Sequence, residues 1–178
     1  MNSTIKIRYA EAADAELLAN LGRETFHDAF AGNPLMPQDD LRVYMESAFT
    51  ISQMNSELND PKTIFFLAEI EGEAVGYAKL ERSVTTESIK SKNPIKLKRL
   101  YNKQKFIGFG IGASLMNCCL QESARLKHDT IWLTVWRHNL IAQKFYDKWN
   151  FEECGAFDFQ LGKTICVDKV MQRQILLK

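Results

Sequence analysis

Ile95-Lys-Leu-Lys-Arg-Leu-Tyr-Asn-Lys-Gln-Lys-Phe-Ile-Gly-Phe-Gly-Ile-Gly112 is the stretch on which the fold turns. Ile95, Leu97 and Leu100 form a short apolar run. A polar step then leads to Gly108, Gly110 and Gly112, where an amphipathic helix begins. Strand, loop and helix N-terminus in that order make a place for an anion. Glycine lets backbone amides come close to a ligand, and the first N–H groups of a helix lack partners at its partly positive end. A P-loop reading fails, because Ala113 and Ser114 follow Gly112 where Lys and Ser/Thr are needed. Gly108, Gly110 and Ala113 satisfy the G-x-G-x-x-A dinucleotide pattern. In that fold, however, the strand runs straight into the first glycine, whereas Asn102 to Ile107 intervene here.

Leu100-Tyr101-Asn102, the glycines at 108, 110 and 112, and Ala113 to Leu115 resemble the acetyl-CoA loop of the GNAT acetyltransferases. In that family's Gln/Arg-x-x-Gly-x-Gly/Ala signature, Gly110 and Gly112 are the two glycines, and Ile107 occupies the Gln/Arg position, a departure. The remainder of the chain supports the same resemblance. Trp132 to Asn139, followed by Ala142-Gln143-Lys144-Phe145-Tyr146 and ending in Asn150-Phe151, resembles the second family signature, with Asn150 standing where a glycine is usual. More narrowly, Glu24-Thr25-Phe26 with Phe30, the segment from Asp40 to Phe49, Phe65 to Glu69, Gly76 to Leu80, and Phe159 to Gly162 with Asp168 and Met171 look like the bacterial spermidine/spermine N-acetyltransferase branch.

The 178 residues fit one domain, and 46% hydrophobic with 25% charged residues is ordinary for a globular chain. A net charge of +1 argues against general attraction to nucleic acid or membranes. No apolar run approaches a membrane span and Met1 to Arg8 lacks a signal core, so a cytoplasmic location is expected. Cys118, Cys119, Cys154 and Cys166 have no C-x-x-C spacing and read as small apolar thiols; with His27, His128 and His138 they suggest no metal site. Charge is uneven along the chain. Lys90, Lys92, Lys96, Lys98, Arg99, Lys103 and Lys105 flank the glycine loop without an acid among them, which suits a polyphosphate. Glu24, Asp28, Asp39, Asp40, Glu46, Glu57 and Asp60 face only Arg42, which would attract a cation. Both runs are equally readable as solvated faces.

Alternation predicts a strand over Thr4 to Tyr9. Asp14 then opens a helix with Leu17, Leu18, Leu21, Phe26 and Phe30 on its apolar side. Pro34 and Pro37 break it, a second helix from Gln38 carries Leu41, Tyr44, Met45 and Ala48, and Thr50 with Gln53 forms a capping box for a third. Thr63 to Ile70 and Ala74 to Arg82 read as a hairpin, Ser83 to Pro94 as a mobile loop, and Thr130 to Trp136 as a strand. Asn139 caps a helix with Ile141, Phe145 and Trp149 inward, and Phe151 to Gln160 with Thr164 to Arg173 form a last hairpin. The order β-α-α-α-β-β-β-α-β-α-β-β, over a single domain of residues 1–178, is that of the α/β GNAT fold, a mixed central sheet flanked by helices.

The resemblance implies an acetyl-CoA-dependent N-acetyltransferase. It assigns the pantetheine arm to backbone groups around Leu100, Tyr101 and Asn102 at a splayed strand, with Asn139 beside them. It assigns the pyrophosphate to the amides of Ile107, Gly108, Phe109, Gly110, Ile111, Gly112 and Ala113, with Lys148 in reach of a phosphate. Tyr146 becomes the acid that protonates the departing thiolate, and the helices before the central sheet become the acceptor site, with Phe26, Tyr44 and Glu46 as contacts. The family glutamate expected near the start of the central strand is replaced by Lys96, so the base stays open, with Glu81 and a water chain among the candidates. Direct attack in a ternary complex is the expected route, and a covalent role for Cys154 is remote. Three acceptor readings stand: a polyamine; a peptide N-terminus or another primary amine; or no acceptor at all, in a regulatory module that only binds acetyl-CoA. A homodimer stays open.

Overall fold

The computed structural model describes residues 4–176. Strand β1 (Ile5–Tyr9) leads into helices α1 (Ala15–Phe30), α2 (Gln38–Ala48) and α3 (Ile51–Asn59). Strands β2 (Thr63–Ile70), β3 (Glu73–Arg82) and β4 (Pro94–Asn102) follow, then α4 (Ile111–Arg125), β5 (Thr130–Trp136), α5 (Leu140–Lys148), β6 (Glu152–Leu161) and β7 (Thr164–Gln174). The described strands form one sheet in the order β1-β2-β3-β4-β5-β7-β6. Only β4 and β5 run parallel, and α4 makes the crossover that a parallel pair requires.

The sheet separates two cores. On one face Phe65, Leu67, Tyr77 and Trp136 pack beneath Leu18 and Phe26 of α1, Leu41 of α2 and Met54 of α3. On the other face Phe66, Ala78, Leu80, Ile95 and Leu97 pack against Ile111, Leu115, Met116 and Cys119 of α4, with Phe145 and Tyr146 of α5 at the margin. Gly22 lets α1 approach Phe49, because a Cβ there would lie 2.5 Å from that ring.

Strand β4 has two irregularities that shape the centre of the molecule. Its apolar residues keep a two-residue period at Ile95 and Leu97, then slip by one to Leu100. A bulge absorbs the slip: Leu97 faces Leu80 and Arg99 faces Lys79, so Lys98 is left without a counterpart on β3. Pairing with β5 covers only Pro94–Thr130, Ile95–Ile131 and Lys96–Trp132, and beyond Lys96 the two strands part.

Several helix details differ from the sequence expectations. Asp14 does not cap α1; its carboxylate takes the Glu11 N–H and pairs with Arg8 at 2.8 Å, because a 3₁₀ turn occupies residues 12–14. Leu17 is exposed on α1, and Ile141 is 86% exposed on α5, whose inward side is instead Ala142, Phe145, Tyr146 and Trp149. Thr50 caps α3 by accepting the Gln53 N–H at 3.0 Å, but the Gln53 side chain turns to Glu57, so only half the capping box forms. The segment expected to be mobile is anchored: Ile89 packs with Trp132 and Val170, and the Trp132 indole donates to the Val84 carbonyl at 3.1 Å. Asn150, at φ 58°, ends α5 in the left-handed conformation, and the Phe151 N–H bonds back to the Tyr146 carbonyl at 3.1 Å. Asp40 clasps the β6–β7 turn to α2, accepting the Lys163 N–H at 3.0 Å and the Thr164 hydroxyl at 2.6 Å. Among the described residues no helix is long and apolar enough to cross a membrane.

Candidate active site

The loop between β4 and α4 carries the anion-binding features that its glycines suggest. Gly108 and Gly110 have φ of 91° and 85°, which L side chains rarely adopt, and open space surrounds both. Gly112 lies inside the first helical turn, where a Cβ would meet Phe145 at an ordinary 3.5 Å, so an alanine fits there. The first helical bond runs from the Ser114 N–H to the Gly110 carbonyl at 3.0 Å, leaving the N–H groups of Ile111, Gly112 and Ala113 ahead of it. No side chain caps them and no acid stands in that turn. An anion such as a phosphate would be favoured at this end of the 15-residue helix. Ile107 and Phe109 project outward, 68% and 59% exposed. The basic flank is partly spoken for: Lys103 and Lys105 pair with Glu73 at 3.0 and 2.9 Å. Lys148 is exposed in the last turn of α5 and makes no ion pair among the described residues.

The gap between β4 and β5 opens into a cleft. Leu100 and Tyr101 of β4, Val135 and Trp136 of β5, and Asn139 and Tyr146 of α5 line the gap itself. Strand β4 bonds to β3 on one side only beyond Lys96, so its other edge offers unpaired backbone groups along which an extended amide-bearing chain can lie. Asn102 closes the strand, its side-chain amide donating to the Lys103 carbonyl at 3.2 Å. The Asn139 side chain caps α5, its oxygen accepting the Ala142 N–H at 3.1 Å, and the residue lines the cleft. Splayed edge and free helix terminus together fit a pantetheine diphosphate.

Phe26, Phe30, Tyr44 and Phe159 form the far wall. Tyr44 lies 5.2 Å from the Phe26 ring and 5.3 Å from Phe159, and the Asp40 clasp holds these elements together. Glu46 is not part of this wall. Two residues on from Tyr44 it points about 200° away around the helix, where it pairs with Arg42 at 2.9 Å, both 63% exposed. Two other acids of that segment are likewise occupied elsewhere, Asp40 in its clasp and Glu57 with Lys79 and Arg99 at 2.9 and 3.1 Å. None of the acids of that run is among the residues that line the cleft.

Tyr146 is half-buried between Phe145 and Phe151, and its hydroxyl has no hydrogen-bond partner among the described residues. Burial, and then the neighbouring Cys119, push its phenol well above the ordinary value, so it keeps its proton at neutral pH and can donate it. Lys96 lies beneath the cleft, 4.5 Å over the Trp132 ring and 5.2 Å over Phe157. Burial and the nearby Lys98 lower it to about 8. Glu81 is tied to Lys79 at 2.7 Å. Burial pushes its carboxyl up, but Lys79, Lys98 and Lys96 outweigh that and hold it below the usual range.

Strand β7 supplies what the motifs leave out. Cys166, Asp168 and Val170 alternate along the face that carries α1–α3, and among the described residues Asp168 is the only carboxylate lining the cleft. It is 8% exposed, and burial raises its carboxyl to about 6, against the lowering effects of a Thr134 hydrogen bond and of Lys96 and Lys98. The signal for it was one acid between the apolar Cys166 and Val170 on the same strand face. Lys98, placed in the wall by the bulge, has no ion-pair partner among the described residues.

Comparison with known proteins agrees with this geometry. The model of the acetyltransferase (GNAT) family matches residues 26–151. An uncharacterized N-acetyltransferase of Mycobacterium tuberculosis is 29% identical over 92% of this chain and 99% of its own. The spermine/spermidine N(1)-acetyltransferase of Bacillus subtilis is 24% identical over 74% of this chain and 89% of its own. Among solved structures, the PaiA N-acetyltransferase of Thermoplasma acidophilum in complex with coenzyme A superposes with a TM-score of 0.76 at 19% identity, covering 96% of this chain and 99% of that one. With most of its length matched by the family model, and with a splayed sheet and a glycine-led helix made for a CoA arm, this chain belongs to the GNAT family of acetyl-CoA-dependent N-acetyltransferases.

Proposed function

We propose that the protein acetylates a primary amine of a polyamine such as spermidine or spermine, by direct attack on acetyl-CoA in a ternary complex. One observation supports the reading: where β4 and β5 part, a cleft with aromatic walls opens, Tyr146 is among its lining residues, and the uncapped N-terminus of α4 follows β4 along the chain. The amine lone pair attacks the thioester carbonyl, the C–S bond breaks, and Tyr146 donates its proton to the sulfur. Burial raises both Cys154 and Cys166 above the ordinary thiol value, which disfavours a covalent acetyl-thiol route. The polyamine reading draws on the Bacillus relative and on the aromatic walls. Phe26, Phe30, Tyr44 and Phe159 suit a methylene chain and the faces of ammonium groups.

A second reading has its own observation. Lys98, a cation without an ion-pair partner in the wall, favours an acceptor with a negative group near its amine, such as a peptide N-terminus with an acidic neighbour. Thiol release from acetyl-CoA, measured against spermidine, spermine, uncharged monoamines and acidic short peptides, separates the two. Polyamine-dependent release supports the first; release with acidic peptides that falls in Lys98→Met supports the second. Acetyl-CoA binding with no release for any amine overturns both.

A further inference from the structure

The acetyl-transfer reading supplies an acid and no base, and the strand position where a glutamate is expected holds Lys96 instead. We infer that Asp168 is the general base, the group that takes the proton from the acceptor's ammonium before attack. This rests on the reading of the cleft as the site of acetyl transfer.

Placement carries the inference. Asp168 lies on the face that bears α1 and α2, where an acceptor passing Phe26 and Tyr44 enters, while Tyr146 belongs to the core on the opposite face. The thioester in the gap between β4 and β5 thus has a carboxylate on one side of the sheet and a phenol on the other. Attack and departure take place on these two sides, so a base here and an acid there serve the two ends of one reaction. Among the described residues no other lining residue is a carboxylate, and Asp168 has no ion pair. Glu81 is outside the wall and bonded to Lys79 at 2.7 Å.

The proton balance closes. The ammonium gives one proton to the Asp168 carboxylate and the neutral amine attacks. On collapse, Tyr146 protonates the thiolate and the second nitrogen proton restores the phenol. Asp168 returns its proton to solvent. The charged and titratable groups around it are Lys96, Lys98 and Arg99 on β4, Cys166 on its own strand, and the phenols of Tyr44, Tyr101 and Tyr146 across the cleft. The first two are cations that favour the ionised carboxylate, so a base buried this deeply is still charged at neutral pH.

The test is the pH profile of kcat for the full chain with its best amine and saturating acetyl-CoA. The wild-type rate rises with pH along an acidic limb near pH 6. Asp168→Asn lowers kcat by about 10²-fold and removes that limb, while acetyl-CoA affinity, read by calorimetry, is unchanged. Lys96→Met keeps the carboxylate and removes an attracting cation, so the limb moves to higher pH; this variant decides the matter if Asp168→Asn does not fold. Wild-type kcat in Asp168→Asn, or a limb that Lys96→Met leaves in place, overturns the inference while acetyl transfer stands. A wild-type protein that binds acetyl-CoA and acetylates no amine overturns acetyl transfer itself, and the base with it.

Discussion

Replacing Tyr146 by phenylalanine keeps the ring between Phe145 and Phe151 and removes only the hydroxyl. Tyr146→Phe is therefore expected to lower kcat by about 10²-fold with the KM for acetyl-CoA unchanged, as measured by steady-state thiol release. An unaltered kcat would mean that the thiolate leaves without this acid. Other residues of the cleft were legible in the sequence to different degrees. Leu100, Tyr101, Asn139 and Tyr146 stood within motifs, and the structure brings all four to one gap. Phe26 and Tyr44 also reach the cleft, whereas Glu46, chosen for its charge, lies on the wrong side of its helix. Asp168 stood among the residues of the branch resemblance, but its place in the cleft was hidden for a different reason. Alternation along β7 says which residues share a face, but only the pairing of β7 with β5, set by residues far apart in sequence, says what that face overlooks.

At the scale of elements, β4 records its own irregularity in its spacing. Apolar residues at 95, 97 and 100 cannot share one face of a regular strand, and the bulge at Lys98 is how the sheet accommodates them. The end of α5 is similarly explicit: Asn150 takes a left-handed conformation that asparagine tolerates better than most residues. Asn150→Gly should leave stability unchanged or slightly raised, and Asn150→Ala should cost about 1 kcal/mol, both read from urea unfolding. Helix α3 is tied to the sheet by charge. Glu57 holds the buried cations Lys79 and Arg99, and Glu57→Gln leaves the Arg99 guanidinium without its ion pair. The expected loss is about 3 kcal/mol, and a loss below about 1 kcal/mol, the range of exposed pairs, would show that water reaches these groups. Neither Ile141 nor Leu17 betrayed its exposure, because helical periodicity fixes relative angles and not which angle faces inward.

For the whole molecule, the order of elements was readable, since hairpin turns, helix caps and glycines mark each boundary locally. The gap between β4 and β5 was not readable from spacing, because a strand with one bonded edge has the same pattern as a strand with two. Its presence predicts a large response to the cofactor. Acetyl-CoA at 100 times its Kd should stabilise the protein by about 2.7 kcal/mol, raising Tm by about 5–10 °C, measured by differential scanning fluorimetry. A shift that Gly110→Ala abolishes would tie the effect to the helix terminus.

The parting of the strands also has a consequence in time. Beyond Lys96 the two strands no longer pair, and on the reading proposed above a pantetheine chain laid along the free edge of β4 would complete the surface that the amine meets. An amine arriving first meets an open slot; one arriving second meets a finished surface with the acetyl group at its base. The two substrates should consequently bind in a compulsory sequence, acetyl-CoA leading, and product inhibition should follow suit, with CoA competitive against acetyl-CoA and the acetylated amine competitive against neither.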